Sequence, residues 1–313
     1  MEVRHLTSLI AIADNGSFSA AARALGTVQS NVSAHISRLE AELGVTLVER
    51  QSGELTEDGA RVVERARQVI HELEDIAAEV HSTDVTIEGE TRLGCIGTTA
   101  RWLMPRLLQT LRASHPNVHA TVYEGATSLL VPRLLSGDLD AAILHFPIDQ
   151  PELELEPLFS EDLVLLVHSK HEWASRQSIT IVELAQRPIL LPPRLNALRR
   201  ILDRTAATHR VVLQPQAEID GMRLLASLAF EGFGPAVVPS TAIPTWLTGD
   251  FARVALPQMP RRLVGWATRR RPRPNRPTQA TFDVAKLVIG GTDSLPRGVH
   301  PDPVFARSVR SNL

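Results

Sequence analysis

Residues 17–50, SFSAAARALGTVQSNVSAHISRLEAELGVTLVER, read as two short helices joined by a tight turn. Ser17 is placed to cap the first helix, its hydroxyl accepting from an orphan N–H of the opening turn. Ala20, Ala21, Ala22 and Ala24 give that helix high propensity and small side chains for close packing. Gly26 falls where a helix C-terminus favours a residue tolerant of positive φ. A second helix is expected from about Val28 to Leu43, with Val32, Ile36, Leu39 and Leu43 forming one apolar stripe at the helical period. Its other side carries Ser30, Ser33, Ala34, Ser37 and Arg38, with Gln29 at the exposed start. Between Ser17 and Arg38 there is no Asp or Glu, while Arg23 and Arg38 are cationic. A helix with short polar side chains and no acid can enter a major groove, where Gln, Asn, Ser, His and Arg all bond base edges. The pattern is that of a helix-turn-helix whose second helix is the reader. A helical hairpin packed for structure alone is the plainer alternative.

Five blocks in order decide between them. Gly16-Ser17-Phe18-Ser19-Ala20-Ala21-Ala22, Gln29…Ser33, Leu39-Glu40-Ala41-Glu42-Leu43-Gly44, Leu47-Val48-Glu49-Arg50 and Leu55-Thr56-Glu57-Asp58-Gly59 stand at the spacing of a known module. The stretch resembles the N-terminal module of the LysR-type transcriptional regulators. That resemblance implies a winged helix-turn-helix over residues 1–58 and double-stranded operator or promoter DNA as a partner. Gln29, Ser30 and Ser33 are the expected base contacts, with Ser37 and Arg38 nearer the backbone. Ser17, Asn31, Ala34 and Arg50 complete the expected DNA-binding set. Thr27 is the expected cap of the reader helix, since Val28 stands where Thr or Ser is frequent. Gly44–Val48 is expected as a short strand. The wing turn after it is short, and its one charge is Glu54, so no basic contact is expected at its tip. Val48, in place of the family's Phe, reads as a smaller core residue.

Composition sets limits. The 313 residues, 43% hydrophobic, suffice for two or three compact domains, and a net charge of −2 excludes a general polycation. One cysteine, Cys95, allows no internal disulfide. The redox-sensing branch of the family uses a cysteine pair, so Cys95 reads as an inert core residue. The N-terminal apolar run is too short for a signal peptide, and no segment approaches the ~20 apolar residues of a membrane span. A cytoplasmic protein with no membrane partner is expected. Against DNA binding stands the charge of residues 1–58, where four arginines meet eight carboxylates. Phosphate contacts usually dominate affinity. The acids lie outside residues 17–38, however, and Ser, Thr and backbone N–H groups also hold phosphates.

Leu6, Leu9, Ile10 and Ala13 put an apolar face on a first helix. Residues 57–82 form a long helix with Val62, Ala66, Val69, Leu73, Ile76 and Val80 on a coiled-coil seam. Such a seam implies a partner helix, most simply that of a second copy, or else packing on its own domain. From Glu88 strands and helices alternate, which predicts parallel α/β. Expected strands include 92–97, 118–124, 141–145, 162–168, 189–191, 211–214, 236–239 and 263–268. This half resembles the family's effector domain, two α/β lobes akin to periplasmic binding proteins. Glu124-Gly125, Gly137-Asp138-Leu139-Asp140 and Glu231-Gly232-Phe233-Gly234 carry that likeness. The division expected is a linker and dimerisation helix at 59–88, lobe I at 89–161 plus 263–290, lobe II at 162–262, and a flexible tail at 291–313.

In α/β lobes ligands sit beyond the carboxyl ends of strands, against helix N-termini. Three corners qualify: Gly97-Thr98-Thr99, Pro192-Pro193-Arg194-Leu195-Asn196, and Ile219-Asp220-Gly221. Free N–H groups and hydroxyls favour an anion at the first two. By resemblance Thr98, Thr99 and Thr127 match effector-touching positions; Pro193 and Asn196 complete the candidate set, with helix capping as the competing role. The eleven histidines show no metal-ligand spacing. Arg261-Arg262 and the Arg269–Arg276 run read as a solvated turn before the last helix. No catalytic or nucleotide motif appears, so no enzyme, metal or cofactor is expected. The family implies a homodimer or homotetramer that answers a small-molecule effector and meets RNA polymerase. An intracellular small-molecule-binding protein without a regulatory role is the rival.

Overall fold

The computed structural model describes residues 1–50, 52–81, 87–291 and 295–302. Helices α1 (Val3–Asn15), α2 (Phe18–Ala24) and α3 (Gln29–Leu43) enclose one small core of Leu6, Leu9, Ile12, Phe18, Ala21, Val32, Ile36 and Leu39. Ile10 and Ala13 of α1 only flank that core; Ala11 and Ile12 face it instead. Ser17 caps α2 as expected, accepting from the Ala20 N–H at 3.2 Å. Thr27 does not cap α3. Val28 takes the cap position in extended backbone with no side-chain bond, and the Thr27 hydroxyl accepts from Asn31 Nδ2 at 3.0 Å. The buried stripe of α3 stops at Leu39, because Leu43 lies in the last turn beyond the packed helices and is exposed. Residues 44–48 form no strand; a single antiparallel bridge, Val48 to Leu55, closes the wing. Val48 is fully buried, as its role of core residue requires.

Helix α4 (Glu57–His81) begins against this wing. A Cβ on Gly59 would stand 2.0 Å from the Leu47 carbonyl oxygen, so only glycine lets the helix start this close. Val63 and Ala66 join the small core. Farther along, Val69, Leu73 and Ile76 are exposed, and the Val80 side chain lies outside the described residues. Between them His71 is buried, its Nε2 2.7 Å from Asp140 Oδ1, which fastens α4 to the following domain. Burial alone would raise the Asp140 carboxyl; the His71 bond and charge, with Arg92, bring it below its ordinary value instead.

The remainder holds two sheets. The first runs β11 (Val299–Pro301), β4 (Leu153–Glu161), β10 (Arg262–Arg269), β3 (Ala141–His145), β1 (Gly89–Cys95), β2 (Val118–Glu124). The second runs β7 (Gln214–Glu218), β6 (Pro188–Leu191), β8 (Ala236–Pro239), β5 (Leu163–His168), β9 (Phe251–Ala255). Both are mixed rather than parallel: β10 is antiparallel to β3 and β4, and β5 to β8 and β9. Strands β4, β9 and β11 are additional to the expected set, and β7 lies at 214–218 rather than 211–214. In the second sheet Leu163, Leu165 and Val167 face one core and Leu166 the other, as the two-residue period of a strand buried on both faces dictates. Helices α5 (Gly97–Ser114), α6 (Thr127–Ser136) and α10 (Arg276–Gly290) accompany the first sheet, and α7 (Ile181–Leu184), α8 (Ala197–Thr208) and α9 (Met222–Phe230) the second. The chain crosses between sheets at Asp162 and again between β9 and β10. The tail is not wholly loose: Val299–Pro301 pairs with Phe159–Glu161, and the Gly298 carbonyl accepts from the Asp162 N–H at 2.8 Å beside the crossing.

Candidate functional sites

The first site is the open face of α3. Gln29, Ser30, Asn31, Ala34, Ser37 and Arg38 are exposed there, with Ser33 and His35 half-buried. Ser19 Oγ donates to Gln29 Oε1 at 2.9 Å, which fixes that amide and leaves its NH₂ outward. Arg50 folds back onto the helix, donating to Ser33 Oγ at 3.2 Å, Ser37 Oγ at 3.0 Å and Glu40 Oε2 at 2.6 Å, with its guanidinium over the Phe18 ring. Glu40 also accepts from the N–H groups of Leu47 and Val48 at 2.9 and 3.3 Å, so this acid organises the wing. The Ser17 hydroxyl serves the α2 cap.

Most other acids of the module are paired away from the face. Glu2 meets Arg4 at 2.6 Å, Asp14 meets Arg67, Asp58 meets Arg61, and Glu42 holds the N-terminal ammonium. Behind the face His35 Nδ1 lies 2.8 Å from Ser8 Oγ, whose hydroxyl donates to the Arg4 carbonyl, so the imidazole is the Nδ1–H donor. Burial, then the neighbouring His5, Arg4 and Arg38, lowers the His35 pKa and keeps the ring neutral.

The second site is a cleft of about 410 Å³ between the two sheets. Four helix N-termini open on it: Gly97 and Thr98 of α5, Ala126 and Thr127 of α6, Asn196 and Leu198 of α8, and Gly221 and Met222 of α9. The first N–H groups of each helix have no intrahelical partner, so the walls are rich in donors. Three sequence-expected residues, Thr98, Thr127 and Asn196, line the cleft. Thr127 Oγ1 has no protein partner, whereas the Asn196 side chain caps α8 by accepting from the Leu198 N–H at 2.9 Å. Thr99 and Pro193 do not line it. Thr99 lies one residue deeper in α5 and is fully buried, and Pro193 stands in the turn behind Asn196.

Glu124, His145, Arg223 and Arg262 line the cleft and were not among the expected site residues. Arg262 is no part of a solvated turn. It is buried at 6% exposure on β10 and donates through Nε to Glu161 Oε1 at 2.7 Å and through Nη2 to Thr98 Oγ1 at 3.0 Å. Glu161, fully buried, accepts also from Thr241 Oγ1 at 2.6 Å on the second lobe. Arg269 likewise leaves the expected turn, donating to the carbonyls of Leu134 and Leu139. Burial, with the Arg262 and Arg200 charges, pushes His145 down to about 4, so a neutral imidazole lines the cleft. Alternation of apolar residues in β10 flags Arg262 only as an interruption, and no periodicity flags Glu124 or His145. Cys95 is buried at the end of β1 and its thiol is pushed up by burial and by the Glu124 charge. No group of three or more metal-ligating side chains occurs among the described residues.

Residues 3–60 match the family described as "Bacterial regulatory helix-turn-helix protein, lysR family", and residues 86–287 match the LysR substrate binding domain. The chain is 28% identical over 316 aligned positions to the DNA-binding transcriptional dual regulator OxyR of Escherichia coli (strain K12), covering 99% of this chain and 100% of that one. It is 32% identical to a probable hydrogen peroxide-inducible genes activator of Streptomyces viridosporus over 79% of this chain and 82% of the relative. Full-length CbnR in complex with target DNA shares the fold at a TM-score of 0.70 and 23% identity, covering 92% of this chain and 100% of that one. With both family matches in place and the Escherichia coli relative spanned end to end, the chain belongs to the LysR family of bacterial helix-turn-helix transcriptional regulators.

Proposed function

We propose that this regulator works as a cytoplasmic homodimer or homotetramer whose paired α3 helices read two operator half-sites. The reading rests on one observation above others, the exposed acid-free face of α3 from Gln29 to Arg38. Gln29, Ser30 and Ser33 meet base edges, Ser37 and Arg38 lie nearer the backbone, and Ser17, Asn31, Ala34 and Arg50 complete the DNA-binding set. The exposed Val69, Leu73 and Ile76 of α4 form the contact with a second copy, which sets the half-site spacing. Residues 1–58 are the reading module and 59–88 the linker. Residues 89–161 with 263–290 and residues 162–262 are the two lobes, between which a small effector binds. RNA polymerase is the further partner through which bound protein alters transcription.

Several relatives are named hydrogen peroxide-inducible genes activators, and a response through a disulfide within the chain is not proposed for this protein. A disulfide within the chain needs two cysteines and this chain has one, buried and with a raised pKa. The test is fluorescence anisotropy of the purified protein on DNA from upstream of its own gene, at several salt concentrations, beside a scrambled duplex and a Gln29→Ala/Ser33→Ala variant. Binding confined to the upstream DNA and lost in the variant is expected. Equal binding to both duplexes at every salt concentration contradicts the reading.

A further inference from the structure

The effector cleft already contains an acidic group of the chain's own. Glu124 ends β2 on the first lobe, and its carboxylate lies over the first turn of α5; a Cβ on Gly97 would stand 2.7 Å from Glu124 Oε1. That is where the α5 N-terminus would hold a bound anion. Across the cleft Arg223, in the first turn of α9 on the second lobe, donates to Glu124 Oε1 at 2.5 Å. A second guanidinium is close. Arg101 of α5 reaches the Ala242 carbonyl of the second lobe at 3.1 Å, and its pKa is lowered by burial and then by Arg223, against the opposing pull of Glu124. One carboxylate thus lies at a helix terminus and bridges the lobes through Arg223, with the Arg101 charge nearby.

We propose that Glu124 stands in for the acidic group of the effector: it latches the empty cleft through Arg223, and a small carboxylate binds by displacing it. The proposal rests on the cleft being the effector site. The chemistry follows from the site itself. Arg262 is neutralised by Glu161 at the cleft floor, so Arg223 is the guanidinium an incoming carboxylate can win without unpairing a buried charge. The pair is half-exposed on both sides, which keeps exchange of partners cheap, whereas the Glu161–Arg262 pair is sealed. An internal competitor also lowers apparent affinity by the fraction of time it occupies the site, so ligand is sensed only above a threshold.

The experiment is rescue by acetate. Full-length protein, Glu124→Ala and Glu124→Gln variants are titrated with sodium acetate, with sodium chloride at matched ionic strength as control. Hydrogen exchange is followed over residues 97–101 and 221–225. In Glu124→Ala, protection of both segments is expected to fall and to return with acetate but not chloride, at an apparent affinity at least about tenfold above wild type. Glu124→Gln is expected to lose protection without rescue, because the amide fills the space an acetate needs. Adding Arg223→Gln to Glu124→Ala is expected to abolish rescue. Unchanged protection in Glu124→Ala, or an equal acetate response in wild type and variant, overturns the latch. Operator binding is measured on the same samples. Rescue without DNA binding supports the latch and overturns the regulatory reading; DNA binding without rescue does the reverse.

Discussion

At the scale of single residues, Arg50 is engaged within its own module before any DNA is bound. The Leu-x-x-Arg motif marks an arginine beside the reader helix, and position alone suggests a phosphate contact. In the protein its guanidinium is shared among Ser33, Ser37 and Glu40, so it also fixes the wing to α3. Arg50→Ala is expected to destabilise the module by about 1 kcal/mol, measured by urea unfolding, since the bonds are partly exposed but charge-assisted. The salt slope of operator binding then separates the roles: a slope smaller by about one per half-site means a lost phosphate contact, and an unchanged slope means positioning only. His145 gives a second residue-level test. Its folded pKa of about 4 lies below the usual histidine value, so the folded lobes resist its protonation. Its contribution is therefore full above about pH 6.5 and is lost as pH falls toward 4, on the order of 3 kcal/mol in total. In thermal melts, wild type should lose stability relative to His145→Gln as pH falls from about 6.5 to about 4. Parallel curves across that range contradict the assignment.

At the scale of elements, helix α4 carries a seam whose halves have different fates. Val63 and Ala66 turn into the small core, while Val69, Leu73 and Ile76 face outward with no partner among the described residues. Leu73→Asp places a charge mid-seam and is expected to shift the molecular mass in sedimentation toward monomer, with operator affinity falling by at least about tenfold as bivalent grip is lost. An unchanged mass with a loss of folding would instead mean that the seam packs on its own chain. The legibility of the elements follows from the same periodicities. Helices α3 and α9 and strands β2, β3 and β8 carry clear apolar patterns, and the sequence places them within a residue. Strand β4, LELEPLFSE, alternates glutamates around an interior proline and lacks a clear apolar pattern, and its antiparallel partners β10 and β11 define it. The cleft was half legible. Corners ahead of helices point to Thr98 and Asn196, and the family resemblance to Thr98 and Thr127, but Glu124, His145 and Arg262 sit at strand ends where tertiary placement, not pattern, decides their role.

At the scale of the whole molecule, the two lobes are joined at a point where four side chains meet. Glu161 and Arg262 are the last residue before one crossing and the first of the strand after the other, and Thr98 and Thr241 tie them to α5 and to the second lobe. Exposure of 0% and 6% makes the pair sensitive to being broken rather than to being absent. Removing one partner strands a charge where water cannot reach it, and such deletions cost about 3–5 kcal/mol, whereas replacing both with apolar groups of similar volume is often near neutral. Arg262→Met and Glu161→Met are each expected to be strongly destabilised by urea unfolding of the effector domain, and the double variant to recover most of the loss. Recovery of stability need not mean recovery of function. The pair fixes Thr98 at the cleft floor and reaches the second lobe through Thr241, so the double variant is expected to fold and bind operator yet lose its transcriptional response to effector. If the double variant is as unstable as the sum of its parents, the pair is not a coupled unit. If it responds to effector normally, the tie from Glu161 to Thr241 is dispensable, and the Glu124–Arg223 ion pair across the cleft is the link to remove next.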